Sequence, residues 1–168
     1  IKEMCEGEFQ QEFLCRGESL TFEQVRDINR KKTGALFALA GYVYGSGEPK
    51  LQNVFEEVGY ITGTAYQFID DMLDRFGDES RIGKTLGTDK KKNKPTAMDI
   101  FSGRETELFF LIEEMLYNPE KLLAPWPKVR SGYRAYIREY IRPVFNEVSN
   151  RLEICHSLDT SSNTAEPV

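Results

Sequence analysis

The sequence predicts an all-α protein, a bundle of about six helices, because apolar residues recur at helical spacing along nearly all of it. Two further observations support this fold class. Thr21 is followed by Gln24 and Ser102 by Glu105, each at the spacing of a capping box that opens a helix. Pro49 stands where a first helical turn would begin, a position that tolerates its missing N–H. We find no alternation of polar and apolar residues typical of a strand.

The first three predicted helices carry most of the polar residues of interest. The first covers residues 1 to about 14 and ends at Gly17, which we expect in the left-handed conformation. The second begins after Thr21, and its helical period is interrupted near 32–34. The third runs from Pro49 to about residue 76 and is apolar around most of its circumference, so we expect it to be central and mostly buried.

Two more helices follow in the second half of the chain. Ser102 is expected to cap a helix that ends near residue 117 and leads into an irregular, proline-containing connection over 118–127. The last helix is expected from about residue 129 to 154, with a kink at Pro143.

The composition limits the functional classes. A length of 168 residues suits one domain, which we place at 1–156, and the composition of 157–168 is typical of a disordered tail. The net charge of −5 argues against nucleic-acid binding, and no apolar run approaches the ~20 residues of a membrane span. Three cysteines without CxxC spacing indicate reduced thiols and a cytoplasmic location.

A cluster of acidic residues lies on the third helix. Gln67, Asp70, Asp71 and Asp74 are spaced i, i+3, i+4 and i+7, which places them on one helical face. Carboxylates gathered on one turn repel each other, so folding alone does not explain the cluster. A hard divalent ion such as Mg²⁺ does explain it. The alternative is a solvated acidic helix end.

The charge then changes sign. From Arg75 to Lys94 the sequence holds seven basic and three acidic residues, with glycines between them. An acidic face followed by a glycine-containing basic loop suits a complex of diphosphate and metal. Each half alone is more often a solvated surface, and their combination is what favours a site.

The stretch 66–96 resembles the second aspartate-rich region of the trans-isoprenyl (polyprenyl) diphosphate synthases. Its matching parts are Tyr66-Gln67, Asp70-Asp71-Met72-Leu73-Asp74, Gly83-Lys84, Gly87-Thr88-Asp89 and Lys94-Pro95-Thr96. Asn93 replaces the glycine common in the family. Two earlier segments also match, Gly7-Glu8 with Gln11, and Lys32-Thr33. From spacing alone, Gln11 could equally be a surface residue, and the lysines around Lys32 a solvated run.

The resemblance implies an isoprenoid-synthase-type helical bundle, usually a homodimer. It also implies condensation of isopentenyl diphosphate with an allylic prenyl diphosphate, assisted by about three Mg²⁺ ions. The implied metal residues are Asp70, Asp71 and Asp74, with Asp71 in a supporting position. The implied catalytic and substrate-binding residues are Gln11, Lys32, Thr33, Gln67, Lys84 and Lys94.

The first aspartate motif of the family does not occur in these 168 residues. We therefore expect a C-terminal half of a synthase, inactive alone, whose N-terminal half is cleaved, disordered or a separate chain. Two alternatives remain open at this stage, namely a half of a class I terpene synthase and a non-catalytic regulatory subunit. The sequence does not set the length of the product.

Overall fold

The computed structural model of the protein describes residues 1–76 and 94–151. Within these residues there are six helices and no strand, which confirms the all-α prediction. None of the helices in the described ranges is long and apolar enough to cross a membrane. Lys84, the glycine-containing segment around it and the predicted tail 157–168 lie outside the described residues.

The first three helices form the larger part of the bundle. Helix α1 joins Lys2–Phe9 to a π-helical turn at Gln10–Leu14. Helix α2 is made of Phe22–Asn29, a second π turn at Arg30–Gly34, and Ala35–Tyr44. Helix α3 is Pro49–Phe76, the longest of the described helices, as the sequence predicts.

The remaining helices cover one side of α3. A short helix α4 spans Ala97–Ile100 and is followed by α5 at Glu105–Leu122. Helix α6 joins Pro127–Tyr136, a third π turn at Ile137–Ile141, and Arg142–Arg151. The third π turn ends two residues before Pro143, the position where the sequence predicts a kink.

Several local predictions are confirmed. Both hydrogen bonds of the capping box at Thr21 and Gln24 are present. Gly17 has a φ of 79°, the left-handed conformation that ends α1. The predicted interruption of α2 near 32–34 is the π turn at Arg30–Gly34. In a π turn one extra residue is inserted into the helix, and such turns are frequent at functional sites.

Two local predictions are wrong. Ser102 does not cap α5, because Glu105 instead accepts the backbone N–H of Gly103 at 2.9 Å. The helix also does not end near residue 117 but continues through Pro119 to Leu122. Pro119 is buried, and the free energy gained by its packing offsets the loss of the backbone hydrogen bond that a proline cannot donate. The short helix α4, which a capping box of Thr96 and Asp99 opens, was missed.

Helix α3 is central, as predicted. It packs against α2, α4, α5 and the Arg142–Arg151 part of α6, and the buried side chains of Phe68, Ile69 and Met72 lie on its second half. The polar residues 67, 71 and 74 are therefore enclosed by apolar neighbours.

Glycines allow α2 and α3 to approach closely. A Cβ added at Gly59 would lie 2.5 Å from the Cα of Ala38, and one at Gly63 would lie 2.9 Å from the Cα of Gly34. Backbone therefore packs directly against backbone at this interface. Because the helices approach closely, the Thr33 side chain in the π turn of α2 can contact the Gln67 side chain on α3.

Candidate active site

The polar face of α3 is mostly buried. Gln67 and Asp74 are each 8% exposed and Asp71 is 3% exposed, while Asp70 is partly exposed. A buried carboxylate is costly unless hydrogen-bond donors or positive charges surround it. The sequence placed these residues on one face of one helix, and the structure adds that neighbouring helices enclose that face.

The π turn of α2 supplies the first group that contacts this face. The Thr33 hydroxyl donates to Oε1 of Gln67 at 2.6 Å. Nε2 of Gln67 in turn donates to Oδ1 of Asp71 at 3.0 Å. These two bonds form a polar string from Thr33 to Asp71, and they fix which end of the Gln67 amide faces each partner.

Lys32 lies beside this string but has a different partner. Its Nζ donates to Oε1 of Gln11 at 2.7 Å, and Nε2 of Gln11 donates to the carbonyl of Pro95 at 3.2 Å. Gln11 is buried in the π turn of α1. The α1 backbone comes this close because residue 7 is glycine, where a Cβ would lie 2.6 Å from the Lys32 amide nitrogen.

Lys94 reaches the same π turn of α1. Its Nζ forms an ion pair with Glu12, and both side chains are largely shielded from solvent. Together with the bond from Gln11 to Pro95, this contact holds the chain at 94–95 against α1. Glu12 was not among the predicted site residues. A cavity of about 430 Å³ adjoins this region and is lined by Lys94 and Asp99, but by none of the aspartates on α3.

Asn29 is a second site residue that the sequence does not predict. It is fully buried, and its Nδ2 faces Oδ2 of Asp71 at 3.5 Å. Its Oδ1 has no hydrogen-bond partner within the described part of the chain. The signal that could have identified it is spacing, because residues 29, 32 and 33 share one face of α2.

The residues present are compatible with Mg²⁺ bound together with a phosphate ligand. Within residues 1–76 and 94–151, no three His, Cys, Asp or Glu side chains converge to hold a metal by themselves. Mg²⁺ in proteins is commonly held by one or two carboxylates, with waters and substrate phosphates completing its coordination. Asp70 and Asp74 could supply the carboxylates, and Lys32 could neutralise a phosphate beside them.

Comparison of the sequence with protein-family models shows which family the chain belongs to. The family model described as polyprenyl synthetase matches residues 1–120, which include the π turns of α1 and α2 and the aspartates of α3. The chain belongs to this family. The three residues of the polar string, Thr33, Gln67 and Asp71, therefore all lie in the region that this chain shares with the polyprenyl synthetase family.

Individual relatives agree with this assignment. A short chain isoprenyl diphosphate synthase of Methanothermobacter thermautotrophicus is 31% identical over 87% of this chain and 50% of its own length. A farnesyl diphosphate synthase of Geobacillus stearothermophilus is 34% identical over 58% of this chain and 34% of its own length. The chain thus spans between a third and a half of these relatives.

A solved structure gives the same picture of the fold. The geranylgeranyl pyrophosphate synthetase from Pyrococcus horikoshii superposes with a TM-score of 0.53 at 25% identity. The superposition covers 91% of this chain and 49% of that one. The isoprenoid-synthase-type fold expected from the sequence is therefore confirmed for this chain, over a length equal to about half of the solved chain.

Proposed function

We propose that this chain forms one half of a prenyltransferase site, which condenses isopentenyl diphosphate with an allylic prenyl diphosphate. The observation that carries the proposal is the polar string from Thr33 through Gln67 to Asp71, which ties the π turn of α2 to the aspartate face of α3. A lysine and two further aspartates flank the string, and the chain belongs to a family whose named relatives are prenyl diphosphate synthases.

The aspartates are assigned to the metal. Asp70 and Asp74 would hold Mg²⁺, and the ion would supply positive charge to offset the negative charge on a departing diphosphate. Asp70 suits this role because it is the partly exposed member of the cluster. Asp71 supports them from the buried side of the same helical face.

The lysines are assigned to the allylic diphosphate. Lys32 has one ammonium hydrogen committed to Gln11 and can direct the others at phosphate oxygens. Lys84, which lies outside the described residues, is proposed for the same diphosphate. Lys94 is proposed as a further substrate-binding residue, and its ion pair with Glu12 holds it at α1. Gln11 takes the role of holding Lys32 in place, which refines the substrate contact expected from the sequence.

Thr33 and Gln67 are placed beside the reactive end of the allylic chain. Their mutual hydrogen bond is short, and both belong to helices whose backbones are in contact. A rigid pair of this kind can position a substrate without itself transferring a proton.

The second half of the site is proposed to come from the remainder of a synthase, in the same chain or in another. Exposed aromatic residues support this part of the proposal, since exposed aromatic side chains suit burial against further protein. Phe9 stacks on Phe13 at 5.1 Å, and Tyr136 stacks on Tyr140 at 5.6 Å, with all four side chains exposed to solvent. Assembly as a homodimer or a heteromer, in a cytoplasmic compartment, belongs to the same proposal.

Reconstitution tests this function. The purified chain is assayed with geranyl diphosphate, labelled isopentenyl diphosphate and Mg²⁺, alone and after co-expression with the half of a synthase that carries the first aspartate motif. We expect labelled product only from the co-expressed pair, and a loss of about 100-fold or more with Asp70→Asn. Product formed by the chain alone would contradict the half-site proposal.

Two other outcomes would overturn the proposed reaction itself. Conversion of farnesyl diphosphate to a hydrocarbon without isopentenyl diphosphate would indicate a terpene synthase. Full activity of the pair carrying Asp70→Ala would indicate a regulatory subunit, because the metal residue would then be dispensable. Asp99→Asn serves as the control, since the Asp99 carboxylate accepts hydrogen bonds from Thr96 at the start of α4 and none of its described bonds involves the aspartates of α3.

A further inference from the structure

Asn29 differs from the other polar residues near the aspartates in being completely buried. It lies on α2 one turn before Lys32 and Thr33, in the last position of Phe22–Asn29 before the π turn. Its Nδ2 points at Oδ2 of Asp71, a contact that spans α2 and α3. The N···O distance of 3.5 Å is long for an N–H···O hydrogen bond. The interaction is therefore mainly the electrostatic attraction between the amide dipole of Asn29 and the negative charge of Asp71.

The Asp71 carboxylate is consequently held from two sides. Oδ1 accepts from Gln67, one turn earlier on the same helix, and Oδ2 faces the Asn29 amide on the neighbouring helix. Both of its oxygens thus meet neutral amide donors within a buried environment. A carboxylate held in this way has less freedom to turn toward a metal ion than its partly exposed neighbour Asp70.

The hydrogen bond from Gln67 has a further consequence for the polar string. Because Nε2 of Gln67 is directed at Asp71, the Oε1 atom of the same amide is presented to the Thr33 hydroxyl. The orientation of Thr33 therefore depends on Asp71, and the orientation of Asp71 depends on Asn29. The three contacts run in series from one helix to the other and back.

The cost of Asn29 supports a role beyond packing. Its Oδ1 is buried with no hydrogen-bond partner among the described residues, and burying an unpaired polar atom costs stability. An apolar residue of similar size, such as leucine, would avoid that cost. A residue present only to fill space at this position would therefore be better replaced by leucine.

We propose that Asn29 is a positioning residue, which holds the Asp71 carboxylate so that Asp71 orients Gln67 and Thr33 instead of binding the metal. This inference rests on the proposed function for the identity of the metal and of the diphosphate. The arrangement of the string itself is independent of that function, so the two can be tested separately.

The test compares Asn29→Leu with Asn146→Leu in the full 168-residue chain. Asn146 is the matched control because its Oδ1 is also buried without a partner among the described residues, whereas its side chain as a whole is only partly buried and, on α6, makes no hydrogen bond to Asp71. The measurements are thermal unfolding, the side-chain amide resonances of Gln67 in ¹⁵N-labelled protein, and calorimetric binding of pyrophosphate with Mg²⁺. The amide resonances need neither metal nor activity, so they report on positioning alone.

We expect Asn29→Leu to leave the melting temperature unchanged or to raise it, while shifting both Gln67 side-chain amide resonances. We also expect it to weaken the binding of Mg²⁺ with pyrophosphate by about threefold, the lower end of the effect of one lost hydrogen bond. Asn146→Leu should change neither the Gln67 resonances nor the binding. Unmoved Gln67 resonances in Asn29→Leu would overturn the proposal.

A second pair of variants keeps the proposal testable if Asn29→Leu fails to fold. Asp71→Asn should shift the Gln67 amide resonances, whereas Asp70→Asn should leave them in place and abolish the binding of Mg²⁺ with pyrophosphate. Equal effects of the two variants on the Gln67 resonances would refute the division of roles. If wild-type protein binds no Mg²⁺ with pyrophosphate, the proposed function fails, while the resonance comparison still decides the role of Asn29.

Discussion

Replacing Gly59 by alanine should separate α2 from α3. The added Cβ would lie 2.5 Å from the Cα of Ala38 and equally close to the carbonyl oxygen of Phe37, and both are backbone atoms of α2. Ordinary van der Waals contact begins near 3.4 Å, so relief requires a displacement of about 0.9 Å. Because no flexible side chain is in the way, the helix as a whole must move.

The expected loss of stability follows from two opposing effects. Overpacking a core costs about 1–3 kcal/mol, and a clash with backbone belongs at the upper end of that range. Alanine is better than glycine inside a helix by up to about 1 kcal/mol, which offsets part of the cost. The net loss is about 2 kcal/mol, or a fall in melting temperature of about 4–8 °C for a chain of this size.

Gly132→Ala is the matched control. Gly132 lies inside Pro127–Tyr136 of α6, and a Cβ there would meet nothing within 4 Å. This variant gains helix propensity without a clash, so its melting temperature should rise by about 2–4 °C. Both are measured by circular dichroism during heating and by urea titration. A Gly59→Ala protein as stable as Gly132→Ala would refute the claim that backbone contact sets the distance between the helices.

Three further predictions concern side chains. Thr33→Val should weaken the binding of Mg²⁺ with pyrophosphate, measured by calorimetry, because the polar string loses its first hydrogen-bond donor. Thr62→Val, whose hydroxyl contacts Tyr133, should leave this binding unchanged. Burial raises the pKa of Tyr133 well above its usual value of about 10. The Tyr133 phenol therefore loses its proton at a lower pH in the unfolded chain than in the folded protein. Stability should therefore fall as the pH rises above about 10, and melting curves of Tyr133→Phe should show a smaller fall. A double-mutant cycle of Lys94→Gln and Glu12→Gln should give a coupling of about 1 kcal/mol in urea unfolding, and additivity would contradict the ion pair.

The sequence was informative wherever a pattern is local. The spacing of residues 67, 70, 71 and 74 was sufficient to place them on one face of a long helix, and the capping box at Thr21 marked where α2 begins. Thr33 was connected to this face through the resemblance to a family and not through spacing, because the two segments are 34 residues apart.

The sequence was less informative wherever a contact joins distant segments. The bond from Gln11 to Pro95 spans 84 residues, and the partner of Asp71 on α2 is 42 residues away. Such contacts depend on how closely the helices approach, which small residues such as Gly7 and Gly63 decide. The error at Pro119 has a related cause, because burial against neighbouring helices overrode a local helix-breaking preference.

The π turn at Arg30–Gly34 makes the number of residues in α2 as important as their identity. Deleting one residue there would let the segment return to ordinary α-helical geometry, in which each residue turns the helix by about 100°. Asn29, whose amide now faces Asp71, would rotate away from α3 although its own side chain had not been altered. We therefore expect this part of the chain to tolerate many substitutions more readily than a single-residue deletion.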